Sequence, residues 1–350
     1  MDNLIEDTEN GETEELYERH VIIIDKGQEA YRIDKFLMQR IENATRNKIQ
    51  QAIENEMVLV NDKPIKKNYN TRAGDRVVVY DFNAPESSEL IPQNIPIDIV
   101  YEDDDLLVVN KPVGMVVHPG SGNPDNTLIN AVAWHIKENC PEIEVNELVR
   151  SGLVHRIDKN TSGLLVLAKK QKVMTDLARQ FAEHTVHRRY HALVWGNFDE
   201  PTGTITGHVG RSLTQRKLFM VYPDGDYGKH AITHYQVLEN FNYVSLVECR
   251  LETGRTHQIR VHMKHIGHTL FNDDFYGGER ILKGTVYTKY KQFVDNCFAI
   301  CPRQALHAKE LGFVHPTTKE NMMFVSELPN DMTMLIDKWR KYSKFKNEIE

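Results

Sequence analysis

Residues 155–163, HRIDKNTSG, set one carboxylate, Asp158, between Arg156 and Lys159, just ahead of the apolar run Gly163-Leu-Leu-Val-Leu-Ala168. Neighbouring cations favour an ionised carboxylate. Such an Asp in a pocket can serve as a nucleophile or a proton acceptor. The same spacing equally fits an Asp in a turn, paired to Arg156 or capping backbone amides. A second dense stretch is LETGRTHQIRVHMKHIGH, residues 251–268. Thr253-Gly254 ends a strand there, and a helix is predicted from near Thr256, with Ile259, Met263 and Ile266 as its buried stripe. Arg260 and Lys264 share another face, and Arg255 beside a helix N-terminus suits an anion. His262, His265 and His268 recur every three residues, a spacing that drifts about 60° around a helix. No acidic residue joins them at a ligand spacing, so packing and hydrogen bonding are favoured over a metal site.

Several enzyme classes lack their required groups. A glycosidase needs two carboxylates flanking the bond, and HRIDKNTSG supplies one. No GxSxG elbow is present for a serine hydrolase. No Gly-Lys-Ser/Thr loop and no GxGxxG at a strand–helix junction offers a phosphate cradle. Asp103, Asp104 and Asp105 read as an exposed hairpin turn rather than a metal cluster. What is left is a site without a cofactor, built from one Asp, several arginines and an aromatic.

The elements that must position these groups fall into two blocks. Residues 31–82 read as a small basic module. Ile33, Leu37 and Ile41 form one helix face, and Thr45 caps a second helix with Ile49, Ala52 and Ile53 inward. Strand–turn–strand follows in MVLVNDKPI, and a further strand in RVVVYDF. Across 31–72 there are nine basic and five acidic residues. Arg32, Lys35, Arg46 and Lys48 lie off the apolar stripes, a surface suited to a phosphate backbone. Residues 83–96 hold three prolines and no periodicity and are read as a linker. From 97 onward strands alternate with amphipathic helices, including one with Val173, Leu177 and Phe181 on a single face, in an α+β plan with a mostly antiparallel sheet.

The chain has 350 residues, 40% hydrophobic and 27% charged, a globular profile. It has no run near the roughly 18 apolar residues of a membrane span. The expected location is cytoplasmic, with Cys140, Cys249, Cys297 and Cys301 as reduced thiols. The net charge of −7 lies in the first twenty residues, which hold eight acids and one Arg. The remainder is neutral, so any anion-binding surface must be local. Residues 1–20 read as a disordered acidic tail.

HRIDKNTSGLLVLAK closely resembles the active-site signature of the RluA/RluD family of RNA pseudouridine synthases. NKPVGMVVHP (110–119), TGRTHQIRVHM (253–263), RQALHAKELGFVHP (303–316) and ELPNDM (327–332) are similar to the family's other blocks, in the same order. Residues 31–82 resemble the S-four-type RNA-binding module that precedes many members' catalytic domains, and the pattern is most like the RluD-type branch. The resemblance implies a module at 21–82, a linker at 83–96, a catalytic α+β domain at 97–335 and a C-terminal extension at 336–350. It implies isomerisation of uridines in large-subunit ribosomal RNA, free or in the assembling subunit, by a monomer that needs no cofactor. Asp158 would be the catalytic carboxylate and Tyr190 the aromatic against the uracil. Arg156 would fill the gap left by a flipped base, and Arg260 would pair with Asp158, with Arg255 as the alternative. His118 and His307 would be structural. Departures from the family pattern are Ile157 for leucine, Asn160 for aspartate, Arg188 for a frequent lysine, and NDDFYG (272–277) for a Gly-Asp pattern; they put the uridine target in doubt, not the chemistry. A non-catalytic RNA-binding factor and a metal-dependent nuclease are the competing readings.

Overall fold

The computed structural model describes residues 17–25, 27–28, 30–41, 46–54, 57–81, 90–120, 123–140, 153–213, 215, 218–285 and 287–349. Thr45, most of the acidic tail and the first half of the linker lie outside the described residues. Two compact units divide the chain, one within residues 1–88 together with 120–124, the other covering the rest.

The first unit runs β1 (Tyr17–Ile23), α1 (Ile33–Arg40), α2 (Arg46–Glu54), β2 (Val58–Val60), β3 (Lys63–Pro64) and β4 (Arg76–Asp81). Its strands pair antiparallel in the order β1-β4-β2-β3. Ile33, Phe36 and Leu37 of α1 and Ile49 and Ile53 of α2 pack on Val58, Val60, Val77 and Val79, so the helix stripes meet the inward face of the strands. Strand β1 begins at Tyr17, inside the segment read from sequence as tail.

Asp34, in the first turn of α1, is fully buried. Arg32 donates to it from two nitrogens, Arg46 Nε reaches it at 3.2 Å and Gln50 Nε2 at 2.9 Å. The Arg32 hydrogen bond, with those of Gln50 and Arg46, outweighs the cost of burial and holds the carboxyl well below its ordinary range. Two of the four module cations singled out from sequence are therefore oriented from beneath by one carboxylate. Lys35 is exposed; the Lys48 side chain lies outside the described residues.

The second unit runs β5 (Asp98–Glu102), β6 (Leu106–Lys111), α3 (Leu128–Asn139), β7 (Ser162–Ala168), α4 (Gln171–Ala182), β8 (His187–Trp195), β9 (Thr202–Arg211), β10 (Phe219–Tyr222), β11 (Lys229–Asn240), β12 (Val244–Leu251), α5 (Gln258–His265), α6 (Thr288–Ile300), β13 (Leu306–Val314), β14 (Asn321–Val325) and α7 (Asn330–Ile349). The sheet order is β10-β9-β11-β12-β8-β13-β7-β6-β5, with β14 beside β13. All these pairings are antiparallel except β13 with β7. Every residue of β7 is buried because both faces are covered. Leu165 and Leu167 join Leu128, Val132 and Ile136 of α3, while Leu164, Val166 and Ala168 join Val173 and Leu177 of α4. Helix α3 starts at a capping box between Thr127 and Asn130. Met332, Leu335, Ile336 and Trp339 of α7 sit with Trp195, Phe271 and Tyr290 in one aromatic core, so the boundary expected at 335 falls inside a packed helix.

Asp34→Ala removes the shared acceptor of Arg32, Arg46 and Gln50. A cost of about 2 kcal/mol is expected, hence roughly 30-fold faster amide exchange in α1 and α2 of the full-length protein, with α3 and α4 unchanged. Hydrogen–deuterium exchange resolved to these helices checks it.

Candidate active site

Asp158 stands one turn before β7. Its carbonyl accepts from Thr161 N at 3.0 Å, closing the turn over Lys159 and Asn160. Ser162 and Gly163 already belong to the strand, so the aiming turn is two residues shorter than the residue types in HRIDKNTSG imply. Gly163, at φ +115°, is required here: a Cβ would lie 2.2 Å from Ala308 O on the neighbouring β13.

The turn's other carbonyls are held by buried cations. Lys111 Nζ donates to the carbonyls of Lys159 (2.8 Å), Pro112 (2.8 Å) and Met115 (2.7 Å). Arg303 Nη1 donates to Asn160 O at 2.9 Å, and its Nε and Nη2 reach Asp331 at the start of α7 at 2.7 and 3.1 Å. Lys111 and Arg303 are 1% and 4% exposed, so each relies on these partners in place of water. NKP and RQALHA thus position the carboxylate through its backbone. Residue type did not reveal this role, because carbonyl acceptors leave no pattern in a sequence.

The Asp158 side chain, 21% exposed, receives Arg260 Nη1 at 3.0 Å. Arg260 is fully buried on α5, and its other edge grips Asp273 with Nε at 2.8 Å and Nη2 at 2.9 Å. Tyr276 N caps Asp273 at 3.2 Å, and the Arg260 guanidinium lies 5.1 and 5.3 Å from the ring centroids of Tyr276 and Phe275. His257 Nε2 is 3.9 Å from Asp158, with Nδ1 2.8 Å from Tyr276 Oη. Burial pushes the Asp158 carboxyl up; His257, Arg260 and Arg156 overcome it and hold it below its ordinary value.

The geometry settles the choice between two arginines. Arg260 pairs with Asp158, whereas Arg255 directs Nε to His230 O at 3.1 Å. Tyr190, 7% exposed on β8, has its phenol pKa raised by burial; the charge of Arg188 lowers it and that of Asp158 raises it. Arg156 is exposed and acts electrostatically on Asp158. Asp273, Tyr276 and His257 were missed from the sequence. The only signal for the first two was NDDFYG, noticed as a departure rather than as ligands of Arg260.

The histidines separate into local roles. His262 meets Thr233 Oγ1 at 2.9 Å, His268 donates to Trp195 O at 2.9 Å, and His265 is exposed. His118 donates to Pro119 O, and His307 bridges Ser162 and Ser326 with its pKa pulled down to about 3 by burial. Asp103 accepts from Asp105 N and Leu106 N and bonds His315, which commits the acidic triplet to its turn.

A carboxyl depressed in the folded state adds stability above its unfolded pKa and loses it as pH falls through the folded value. Asp158→Asn resembles the protonated form. Relative to this variant, the wild-type melting temperature is expected to hold its full difference above about pH 5 and lose it below about pH 4. Paired thermal melts from pH 7 to 3 check this, and a pH-independent difference contradicts it.

Residues 105–265 match the RNA pseudouridylate synthase family, and residues 32–77 match the S4 domain. An uncharacterized RNA pseudouridine synthase of Chlorobaculum parvum is 46% identical over 318 residues, spanning 91% of this chain and 96% of that protein. The ribosomal large subunit pseudouridine synthase D of Zymomonas mobilis is 41% identical over 307 residues, 87% and 92% of the two chains. That of Salmonella typhimurium is 38% identical over 333 residues, 93% and 96%. The solved structure of human RNA pseudouridylate synthase domain containing 4 shares the fold, with a TM-score of 0.56 at 24% identity over 69% of this chain and 93% of that one. Both family models match and the sequence relatives span 87–93% of the chain, which belongs to the RluA/RluD family of RNA pseudouridine synthases.

Proposed function

We propose that this pseudouridine synthase converts specific uridines of large-subunit ribosomal RNA to pseudouridine, with Asp158 as its catalytic carboxylate. The observation that carries the reading is Asp158, paired at 3.0 Å with a fully buried Arg260, held below its ordinary carboxyl pKa and left partly open near Tyr190. The relatives named for the large ribosomal subunit support the choice of RNA.

The reaction is an isomerisation. The bond from ribose C1′ to N1 of uracil breaks, the base turns, C1′ bonds to C5, and the proton leaving C5 is balanced by one gained at N1. No redox equivalent and no nucleoside triphosphate enters that balance, so no cofactor is called for. A uridine within folded RNA must first leave its stack. On this reading Arg156, exposed beside the site, occupies the space the base vacates. Tyr190 lies against the uracil, where stacking contributes about 1–3 kcal/mol per base. Asp158 either attacks C1′ or takes a proton from the ribose. Both routes need the ionised form, and His257, Arg260 and Arg156 provide it. Arg32, Lys35, Arg46 and Lys48 of the S4 domain would meet the RNA backbone. The enzyme would act as a cytoplasmic monomer, on free RNA or on the assembling subunit.

Mapping pseudouridines in large-subunit RNA from cells with and without the protein tests the target. Sites that disappear and return with the wild-type chain are expected; an unchanged map overturns the RNA assignment. Asp158→Asn is expected to fold, bind RNA within a few-fold of wild type, and lose about 10³-fold or more in rate. Undiminished turnover by this variant in a tritium-release assay removes Asp158 from the chemistry.

A further inference from the structure

Arg188 lies on β8 two residues before Tyr190, on the same face of the strand. It is 6% exposed. Among the described residues its side chain makes one hydrogen bond, to a neutral acceptor, from Nη2 to Glu252 O at 2.9 Å, and the guanidinium carbon stands 5.3 Å from the Phe181 ring centroid. Nε is buried with no hydrogen-bond partner. No carboxylate among the described residues pairs with it, whereas adjacent Arg189 has Glu248 at 3.2 Å and Glu310 at 3.6 Å. A buried cation without a counter-charge is costly to the fold. Few arginines are buried this way unless an anion arrives.

Gly254 packs directly on its end. A Cβ on Gly254 would lie 2.8 Å from Arg188 Nη1, and Gly254 does not have a left-handed φ. Its missing side chain therefore makes room for the guanidinium itself, not for backbone freedom. The next residue, Arg255, is half-buried; its side chain bonds the His230 carbonyl and likewise has no carboxylate partner among the described residues. The same segment runs on into α5 and Arg260, the partner of Asp158.

We propose that Arg188, with Arg255 across the bare Gly254, forms an anion subsite that takes a backbone phosphate of the flipped nucleotide. The planar guanidinium suits two phosphate oxygens, and its burial makes the contact strong. The subsite rests on the RNA-modifying reading above. It would fix the ribose over Asp158 by its charged end while Tyr190 holds the base.

The test uses the full-length protein and an RNA oligonucleotide carrying a mapped target uridine. Four substrates are compared: unmodified, methylphosphonate on the 5′ side of that uridine, methylphosphonate on its 3′ side, and both. Arg188→Met is expected to melt at or above the wild-type temperature and to raise KM about 10- to 100-fold, with a smaller change in kcat. Arg188→Lys should recover most of that affinity. Neutralising the correct linkage should weaken wild type by a similar factor and leave Arg188→Met unchanged, which also says which phosphate is bound. Three outcomes overturn the subsite: an unchanged KM in Arg188→Met, a lowered melting temperature in both variants, or a Met defect that persists on every methylphosphonate RNA. If wild type forms no pseudouridine in the unmodified RNA or in the large subunit that contains it, the underlying functional reading fails, and the subsite with it.

Discussion

One guanidinium organises the candidate site around Asp158. Arg260 is fully buried and divided between two carboxylates, both nitrogens of one edge on Asp273 and Nη1 on Asp158. A single buried pair would balance in charge but leave the arginine free to swing. The bidentate grip on Asp273 fixes the plane of the guanidinium, and the remaining nitrogen then has one direction. Asp158 meets a donor that cannot follow it, so the carboxylate is placed by a rigid partner. The second negative charge would by itself raise the Asp158 pKa, and His257, Arg260 and Arg156 together hold it down. The outcome is a carboxylate that stays ionised while partly open to solvent, a state that burial alone would oppose.

The same economy governs the backbone. The carbonyls of Lys159 and Asn160 flank the turn after Asp158, and each is gripped by a buried cation from a distant segment, Lys111 from the end of β6 and Arg303 from just before β13. Arg303 is oriented by Asp331 of α7, which ties the turn to a helix whose Trp339 and Ile336 lie in the aromatic core. The parallel pairing of β7 with β13 makes this reach possible, because it lays the start of both strands side by side. Gly163 lets the two backbones approach. Carboxylate, turn and core are thus one mechanical unit built from four separated stretches of chain.

Which parts were legible in the sequence follows from what each kind of contact requires. Amphipathic stripes on α1, α2, α4 and α5 were readable because burial forces a period on residue type. HRIDKNTSG and TGRTHQIR could be singled out as chemistry, since charged residues in apolar context need a reason. Spacing alone did not separate Arg260 from Arg255, since one enters and the other precedes the same helix; the family resemblance favoured Arg260, and the structure pairs it with Asp158. Asp273 was hidden in NDDFYG, where an acid beside Gly and Asn reads as a turn. Lys111 and Arg303 were hidden more completely: their partners are carbonyls, which every residue carries. Asp34 counted in the sequence only as one acid among nine bases, yet it orients two of them. The three histidines of 262–268 made a suggestive spacing and separated into unrelated hydrogen bonds.

Counting charges is therefore a poor guide to where this enzyme meets a polyanion. Outside its first twenty residues the chain is neutral, and many of its cations are already committed. Arg260, Arg303, Arg189 and Lys169 each face a carboxylate, and their fields are largely cancelled at a distance. What distinguishes a surface for phosphate is the pairing state of its cations. Arg188 and Arg255 carry charge into the interior with carbonyl partners only, next to the residues that hold Asp158. A carbonyl satisfies a donor without neutralising it, so the charge remains available to an incoming ligand. Arg260, divided between two acids, has none to spare. Within one segment, 254–260, the fold thus keeps one arginine saturated to hold Asp158 and another with only a carbonyl partner, the one the proposed subsite would offer to a phosphate. The difference lies entirely in what each was given as a partner.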